Sequence, residues 1–556
     1  MSNPLPHIIP HIKDWPIYKI SKQKKRFKED LKEKIFELLL LKNEGNLKDL
    51  IAQCAYSEKN RVKTKPWKVD PSSEKGFWLG ISKQLTTGQY CDSDENCKLI
   101  LKRIISRYVE EIVGGFKIET YLFADKFLSY FFNRLYSSFF AGSFLNVFWK
   151  KKMLAKKMHV TGYVEETRDL FSKGTVVLVP THQSNLDSIL IGFYMHLVVG
   201  LPAFSYGAGL NLYNVEILAY YMNRLGAYKV DRRKRNAIYH ETLFTFLKLS
   251  VQEGVNNLFF PAGGRVRDGR IEQNLKMGLL SALIQAQKSN CKEGIDNKIF
   301  VVPVTINNHF VLEAKAMIND YLAKTGREKF NRIRKPKSVS YFSMLRYVYN
   351  LVSGKSDVLL AFGQPMDVMG NVVDKEGNSL GQKNEIVSLD DYFKVNGVFA
   401  PDFQRESIYT KKLAQSIAKS YKTHTVVLSS QLVAFVCFEY LMKKYKPVDI
   451  FDLLSKNTNE LEFVYDEIIE HTDTLKNHIL AQNEAGNVCV DEDIYLPSKE
   501  LLHTGIIKLG TFHLKRPLKI ESDNQIICKD LKLLYYYANR LSGFGFENAL
   551  NASVHR

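Results

Sequence analysis

The order of apolar and polar positions divides the chain into a helical beginning, an alternating middle and a helical end. Residues 18 to 56 mix strong helix formers with apolar positions at helical spacing, as in the run from Lys28 to Leu41, and predict helix. A second helix is predicted over 94 to 113. From residue 171 short apolar runs alternate with longer amphipathic stretches. Thr175 to Val179, Asn257 to Phe260, Ile299 to Ile306 and Val358 to Phe362 predict strands with helices between them. That alternation predicts an α/β fold, a layer of mostly parallel strands flanked by helices, with helical N- and C-terminal regions. Residues 364 to 402 are rich in Gly, Asp, Asn and Lys and predict an irregular connection, after which Lys411 to Lys422 and Glu460 to Gln482 read as helix. The expected division is a helical region over 1–120, a central domain over 121–395 and a mainly helical region over 405–556.

One segment breaks the pattern. Between Asp125 and Met158 the aromatics Phe127, Tyr130, Phe131, Phe132, Tyr136, Phe139, Phe140, Phe144, Phe148 and Trp149 lead into Lys150, Lys151, Lys152, Lys156 and Lys157. Aromatics followed by a lysine cluster suit an interfacial segment near 127–158 with a basic, lipid-facing flank. The competing reading is an aromatic core helix ending in a solvated lysine run.

Composition narrows the partners. The chain has 556 residues, 45% hydrophobic and 25% charged, enough for a large buried core. An excess of 78 Lys and Arg over 59 Asp and Glu gives +19, a field that favours polyanions: nucleic acid, an anionic lipid surface or phosphorylated small molecules. The seven cysteines lack the paired spacing of a zinc site and read as reduced thiols. The first residues lack a basic segment followed by an apolar run, and no window offers the roughly 20 apolar residues of a membrane span. The expected location is therefore the cytoplasmic face of a membrane, with peripheral or monotopic attachment.

Candidate chemistry lies at the end of the first central strand. Val176 to Pro180 runs into Thr181-His182-Gln183-Ser184-Asn185-Leu186-Asp187 and then an apolar, helix-like stretch. A His and an Asp at this spacing on a strand-to-helix turn can face each other. The imidazole can then take a hydroxyl proton while the carboxylate fixes its tautomer and stabilises the imidazolium. A loop histidine beside a helix-capping aspartate is the structural alternative. No G-x4-G-K-(S/T) loop, H-E-x-x-H helix or G-x-S-x-G elbow is present, and Gly207-Ala-Gly209 lacks the third glycine of a dinucleotide fingerprint.

Four segments in order over residues 170 to 315 resemble the sequence blocks of the glycerolipid acyltransferase family. His182, Ser184 and Asp187 match its H-x4-D block; the resemblance implies that His182 is the base and Asp187 its orienting partner. Gly226 to Arg233 is similar to the G-x-x-x-x-(D/R)-R block, implying that Arg232 holds an acceptor phosphate. Leu258 to Arg270 is similar to F-P-E-G-(G/T)-R-S-R-x-G, which assigns phosphate binding to Gly263, Gly264, Arg265 and Arg267. Glycines allow close backbone approach and guanidinium forks match phosphate geometry. Phe300 to Ile306, with Pro303, is similar to the fourth block and is expected to line the site.

Ala262 stands where the family usually has Glu, so a carboxylate expected near the acceptor is missing; Asp268 and Glu272 are the candidates to replace it. The resemblance implies transfer of a fatty-acyl group from acyl-CoA or acyl carrier protein to glycerol 3-phosphate, in phospholipid synthesis at an anionic membrane surface. It implies no cofactor and no metal, and nucleic acid is not expected as a partner. Gln183 and Val230-Asp231-Arg232 look more like enzymes acylating lysophosphatidate, whereas Gly263 to Arg270 and the long flanks look more like glycerol-3-phosphate enzymes. A lysophosphatidate acceptor is thus the alternative. A non-catalytic, basic membrane-binding protein with a retained acyltransferase fold is a second, against which the presence of both His182 and Asp187 argues.

Overall fold

The computed structural model describes residues 4–86, 94–137, 158–185, 187–214, 216–325, 358–399, 402–521 and 523–552. At its centre is a seven-stranded sheet in the order β1-β7-β6-β2-β5-β3-β4. The strands are β1 Met158–Gly162, β2 Gly174–Pro180, β3 Ser205–Gly209, β4 Ala227–Val230, β5 Asn257–Leu258, β6 Lys298–Asn308 and β7 Val358–Phe362. All pairings are parallel except that of β6 with β7. The α/β layer fold expected from the apolar runs is the fold observed.

β2 lies between β5 and β6, and Val176, Val177, Leu178 and Val179 are wholly buried. An uninterrupted apolar run suits a strand covered on both faces. Val176 and Leu178 pack with Leu190, Ile191 and Tyr194 of the helix Asp187–Tyr194 on one face. Val177 and Val179 pack on the other with the helices Ala237–Gln252 and Met277–Glu293. This period-2 division over two helical layers is what a parallel sheet requires.

The helix expected over 18 to 56 is two longer helices, Lys24–Lys42 and Leu47–Thr64. Gly45, at φ +77°, turns the chain between them in the left-handed region that glycine adopts freely. These helices and Asp94–Ile112 share a core with Tyr228, Ile238 and Tyr239. A buried ionic network reinforces the contact: Arg61 bonds Glu58 and Glu74, Arg233 bonds Asp70 and Asp231, and Lys234 bonds Glu111.

The 364–402 connection is largely loop and two-residue strands, yet Met366, Val368, Met369 and Phe393 are buried in the sheet's core. The helix Phe403–Thr423 enters the same core through Leu413, Ala414, Ile417 and Tyr421, and the Tyr421 hydroxyl donates to Val179 O at 2.8 Å. Residues 429–550 build a second core that takes in Ala314, Met317, Ile318 and Leu322 of the helix Ala314–Thr325.

Of the aromatic segment, the helix Ile118–Ser137 is described, and residues 138–157, with the lysine cluster, lie outside the described residues. Among the described residues no helix is long and apolar enough to cross a membrane. Cys97 is disulfide-bonded, which corrects the expectation of seven reduced thiols; Cys54, Cys291, Cys437, Cys489 and Cys528 are free.

Candidate active site

The end of β2 and the first turn of the helix Asp187–Tyr194 bring His182 and Asp187 together. His182 Nδ1 lies 3.0 Å from Asp187 Oδ2, and the same oxygen accepts the backbone N–H groups of Gln183 at 2.6 Å and Ser184 at 2.8 Å. The carboxylate side chain is 2% exposed and the imidazole 12%. The two amides aimed at one oxygen fix the orientation of the carboxylate beside the imidazole. With Nδ1 occupied, Nε2 is the imidazole nitrogen without a partner among the described residues. The ring stacks on Phe260, centroids 3.9 Å apart and planes 18° apart.

The third block folds over this pair. Val266 N donates to His182 O at 3.0 Å. Gly263 N closes a turn on Phe260 O, and Gly263 itself, at φ +71°, needs the left-handed conformation. A Cβ on Gly264 would stand 3.5 Å from Arg232 Nη1, so the second and third blocks meet there. Arg232 keeps substantial solvent-exposed area but is walled by protein at longer range. That surrounding protein, and then the Arg265 charge, lower its pKa from the ordinary arginine value. Arg232 has no ion-pair partner among the described residues, and Arg265 Nη1 reaches Glu313 Oε1 at 3.1 Å. Two guanidinium groups close enough to repel each other, one of them unpaired, are an arrangement that suits an anion. Arg267 is directed elsewhere, pairing with Asp320 on the helix Ala314–Thr325. Arg233, adjacent in sequence to Arg232, is held by Asp70 and Asp231 and stacks on Trp67.

Two carboxylates unassigned by motif reasoning lie beneath the site. Glu313 accepts from Ser184 Oγ at 2.8 Å, Asn185 N at 3.1 Å and Arg265, tying the first block to the third. Glu272 accepts the backbone N–H of His182 at 2.6 Å, and burial pushes its pKa up to about 7. Of the two proposed stand-ins for the missing block-three Glu, Glu272 therefore supports the histidine, while Asp268 caps Arg270. Nothing in the sequence distinguished Glu313; a lone Glu between Leu312 and Ala314 has no motif.

On the far side of the helix Asp187–Tyr194 is an apolar cavity of about 160 Å³ lined by Tyr121, Ser188, Ile189, Phe193, Phe204 and Leu258. Its wall begins one residue past Asp187. A trio of possible metal ligands, His309, Asp491 and Asp493, lies apart from these residues, with Lys508 and Ser429 already bonded to Asp493 and Ser430 to His309.

Residues 158–307 match the Acyltransferase family model, a span that starts with β1 and ends within β6. This segment is similar to acyltransferase domains. The chain is 25% identical to a glycerol-3-phosphate acyltransferase of Alteromonas mediterranea over 268 residues, 48% of this chain and 28% of that protein. It is 25% identical over 277 residues to the protein of the same name from Pseudomonas aeruginosa, covering 50% and 29%. Against that of Aeromonas hydrophila the identity is 26% over 261 residues, covering 47% and 28%. The chain thus spans under a third of the length of these relatives. Within the acyltransferase domain fall the His182–Asp187 pair, Arg232, Gly263, Gly264, Arg265 and Glu272; Glu313 lies just past its end.

Proposed function

We propose that the chain is an O-acyltransferase that moves a fatty-acyl group from an acyl thioester to a hydroxyl of a glycerol-3-phosphate-type acceptor in phospholipid synthesis. The observation that carries this reading is the His182 Nδ1–Asp187 Oδ2 hydrogen bond, which leaves Nε2 to face a substrate beside the loop that bears Arg265. His182 Nε2 takes the acceptor's hydroxyl proton as the oxygen attacks the thioester carbonyl. The C–S bond then breaks, the imidazolium returns the proton to the leaving thiolate, and ester and free thiol result. Arg232 and Arg265 hold the acceptor's phosphate and fix the hydroxyl at the base, where positioning lowers the barrier. The apolar cavity behind Asp187 suits an acyl chain.

The acyl donor and the acylated product carry lipid, and the exposed surface fits a membrane interface. Leu122, Phe123, Phe127, Ile189 and Tyr220 are exposed, the Phe123 and Phe127 rings stack, and Arg224 covers Tyr220. Apolar side chains rimmed by cations suit peripheral attachment to an anionic leaflet, here the cytoplasmic one. Either coenzyme A or acyl carrier protein can serve as the thioester carrier.

The test is transfer by purified protein with labelled glycerol 3-phosphate, palmitoyl-CoA or the palmitoyl carrier protein, and lysophosphatidate in parallel. Labelled lysophosphatidate is expected, and His182→Ala should lower its rate by about 100- to 10,000-fold. No product above the His182→Ala background with any donor and acceptor would leave a membrane-binding protein on an acyltransferase fold.

A further inference from the structure

Among the contacts of the C-terminal region with the acyltransferase domain, one short stretch reaches the transfer site. The helix Leu531–Ala538, apart from Lys532, and the turn Asn539–Leu541 are buried. Asn539 Nδ2 donates to Asp268 O at 2.8 Å, and a Cβ on Gly269 would lie 2.0 Å from Tyr536 O, so the arginine loop of the third block rests on this helix. The Tyr537 hydroxyl accepts from Val311 N at 3.1 Å. Arg540 goes deepest. It is 3% exposed, and its Nη2 donates at 3.0 Å to Ile306 O, the carbonyl that also accepts Gln183 Nε2 at 3.1 Å. One oxygen at the end of β6 is therefore shared by the C-terminal arginine and the residue next to His182.

The rest of the Arg540 fork is not used by neutral partners. Nε and Nη1 are buried without a hydrogen-bond partner, as are Glu272 Oε2 and the Tyr536 hydroxyl. A buried guanidinium needs an opposing charge, because desolvation of an isolated ion is costly. The acids whose charge acts on Arg540 are Glu272 and Asp187, with Glu272 the stronger. Reciprocally, burial raises the pKa of Glu272, and the Arg540 charge pulls it back down. Glu272 Oε1 is the atom that holds His182 N at 2.6 Å. A carboxylate accepts an amide more strongly than a carboxylic acid does.

We propose that Arg540 is a positioning residue for the transfer site, acting through Glu272 to hold the backbone of His182, so that the C-terminal region completes the acyltransferase domain. This rests on the reading of His182 as the base. Arg540 touches neither substrate nor reacting atoms; its charge favours the ionised form of Glu272 against the burial that opposes it, and Glu272 fixes the residue that carries the imidazole. Removing the charge leaves burial less opposed, so that Glu272 keeps its proton to higher pH, its hold on His182 N weakens and the ring is displaced from its Phe260 stack.

The experiment uses the full chain with Arg540→Met, Arg540→Lys, Glu272→Gln and the Arg540→Met/Glu272→Gln double variant. Two readouts are taken from pH 5.5 to 8.5: transfer kinetics, and the rate at which diethylpyrocarbonate modifies the His182 peptide, followed by mass spectrometry. Arg540→Met is expected to lower kcat by roughly 10- to 100-fold with little change in the acceptor KM, as for a small displacement of a catalytic group. Its acid limb should move to higher pH, and the modification rate of His182 should change while other histidines keep theirs. Arg540→Lys, which keeps the charge, should recover most of the rate and the wild-type pH limb. In the Glu272→Gln background Arg540→Met should shift the limb no further, because the group it acts on is gone. An unshifted pH profile and unchanged His182 reactivity in a folded Arg540→Met protein would overturn the proposal, leaving Arg540 a packing residue. If wild type transfers no acyl group while Arg540→Met still alters His182 reactivity, the functional reading fails and the coupling stands.

Discussion

Replacing Asp187 by Asn tests how the site enforces the histidine tautomer. In a catalytic His–Asp pair the usual danger of the amide is a flip that turns its NH2 toward the imidazole, placing the proton on the wrong nitrogen and costing about 10,000-fold in rate. Here a flip is opposed. Oδ2 accepts not only His182 Nδ1 but also the N–H groups of Gln183 and Ser184, so an inward NH2 would face two backbone donors. Leaving them unpaired in a buried site costs about 1–3 kcal/mol each. The asparagine oxygen should therefore stay inward and the proton stay on Nδ1. What is lost is charge. At 3.0 Å, with an effective dielectric constant near 20, carboxylate and imidazolium attract by roughly 5 kcal/mol, of which a neutral hydrogen bond retains about 1 kcal/mol. The expected loss is about 3–4 kcal/mol of transition-state stabilisation, or roughly 100- to 1,000-fold in kcat. The assay is single-turnover acyl transfer with saturating acceptor, beside thermal melting to confirm the fold. A loss near 10,000-fold would mean that the amide flips and the two N–H groups do not pin it. A loss under about threefold would reduce Asp187 to a helix cap.

Arg232→Lys and Arg265→Lys should each raise the KM for glycerol 3-phosphate by roughly 10-fold, since the fork is lost, with little change for the thioester; monoacylglycerol, lacking phosphate, should be a poor and insensitive acceptor. Glu272, raised by burial to about 7 from the usual 4.5, retains its proton in the folded state where the unfolded chain has released it. Stability should fall by roughly 3 kcal/mol as pH rises from 4.5 to 7 and level off above, and denaturant unfolding of Glu272→Gln should lack this decline. Gly269→Ala forces a left-handed backbone at φ +89° and a Cβ onto Tyr536 O, so a loss of more than about 2 kcal/mol should be visible in thermal melting. Phe123→Asp should weaken sedimentation with anionic vesicles at low salt; equal binding by variant and wild type would leave Phe123 outside the docking surface.

The parts of this site that were legible in the sequence are those whose partners lie a few residues away. His182 and Asp187 meet across one turn, and β2 and β6 announce themselves as continuous apolar runs because both faces are covered. β1, β3 and β4 were missed for the converse reason. Met158–Gly162 and Ser205–Gly209 carry Gly, Ser, His and Thr, and their extended conformation comes from pairing with neighbouring strands rather than from their own pattern. The two adjacent arginines Arg232 and Arg233 show the limit most sharply. Nothing local separates them, yet Asp70, from the turn between two N-terminal helices, captures Arg233 and leaves Arg232 without an ion-pair partner among the described residues. The missing block-three Glu was legible as Ala262, but its consequence was not. Acidity in the site comes from Glu272 and Glu313, whose roles are set by His182, Ser184 and Arg265 rather than by spacing. Arg540 is the extreme case, a lone cation after a tyrosine-rich helix, far along the chain from the residues it meets. Its burial against Glu272 makes sense only once β6 and the third block are in place, so no reading confined to the acyltransferase domain could have assigned it.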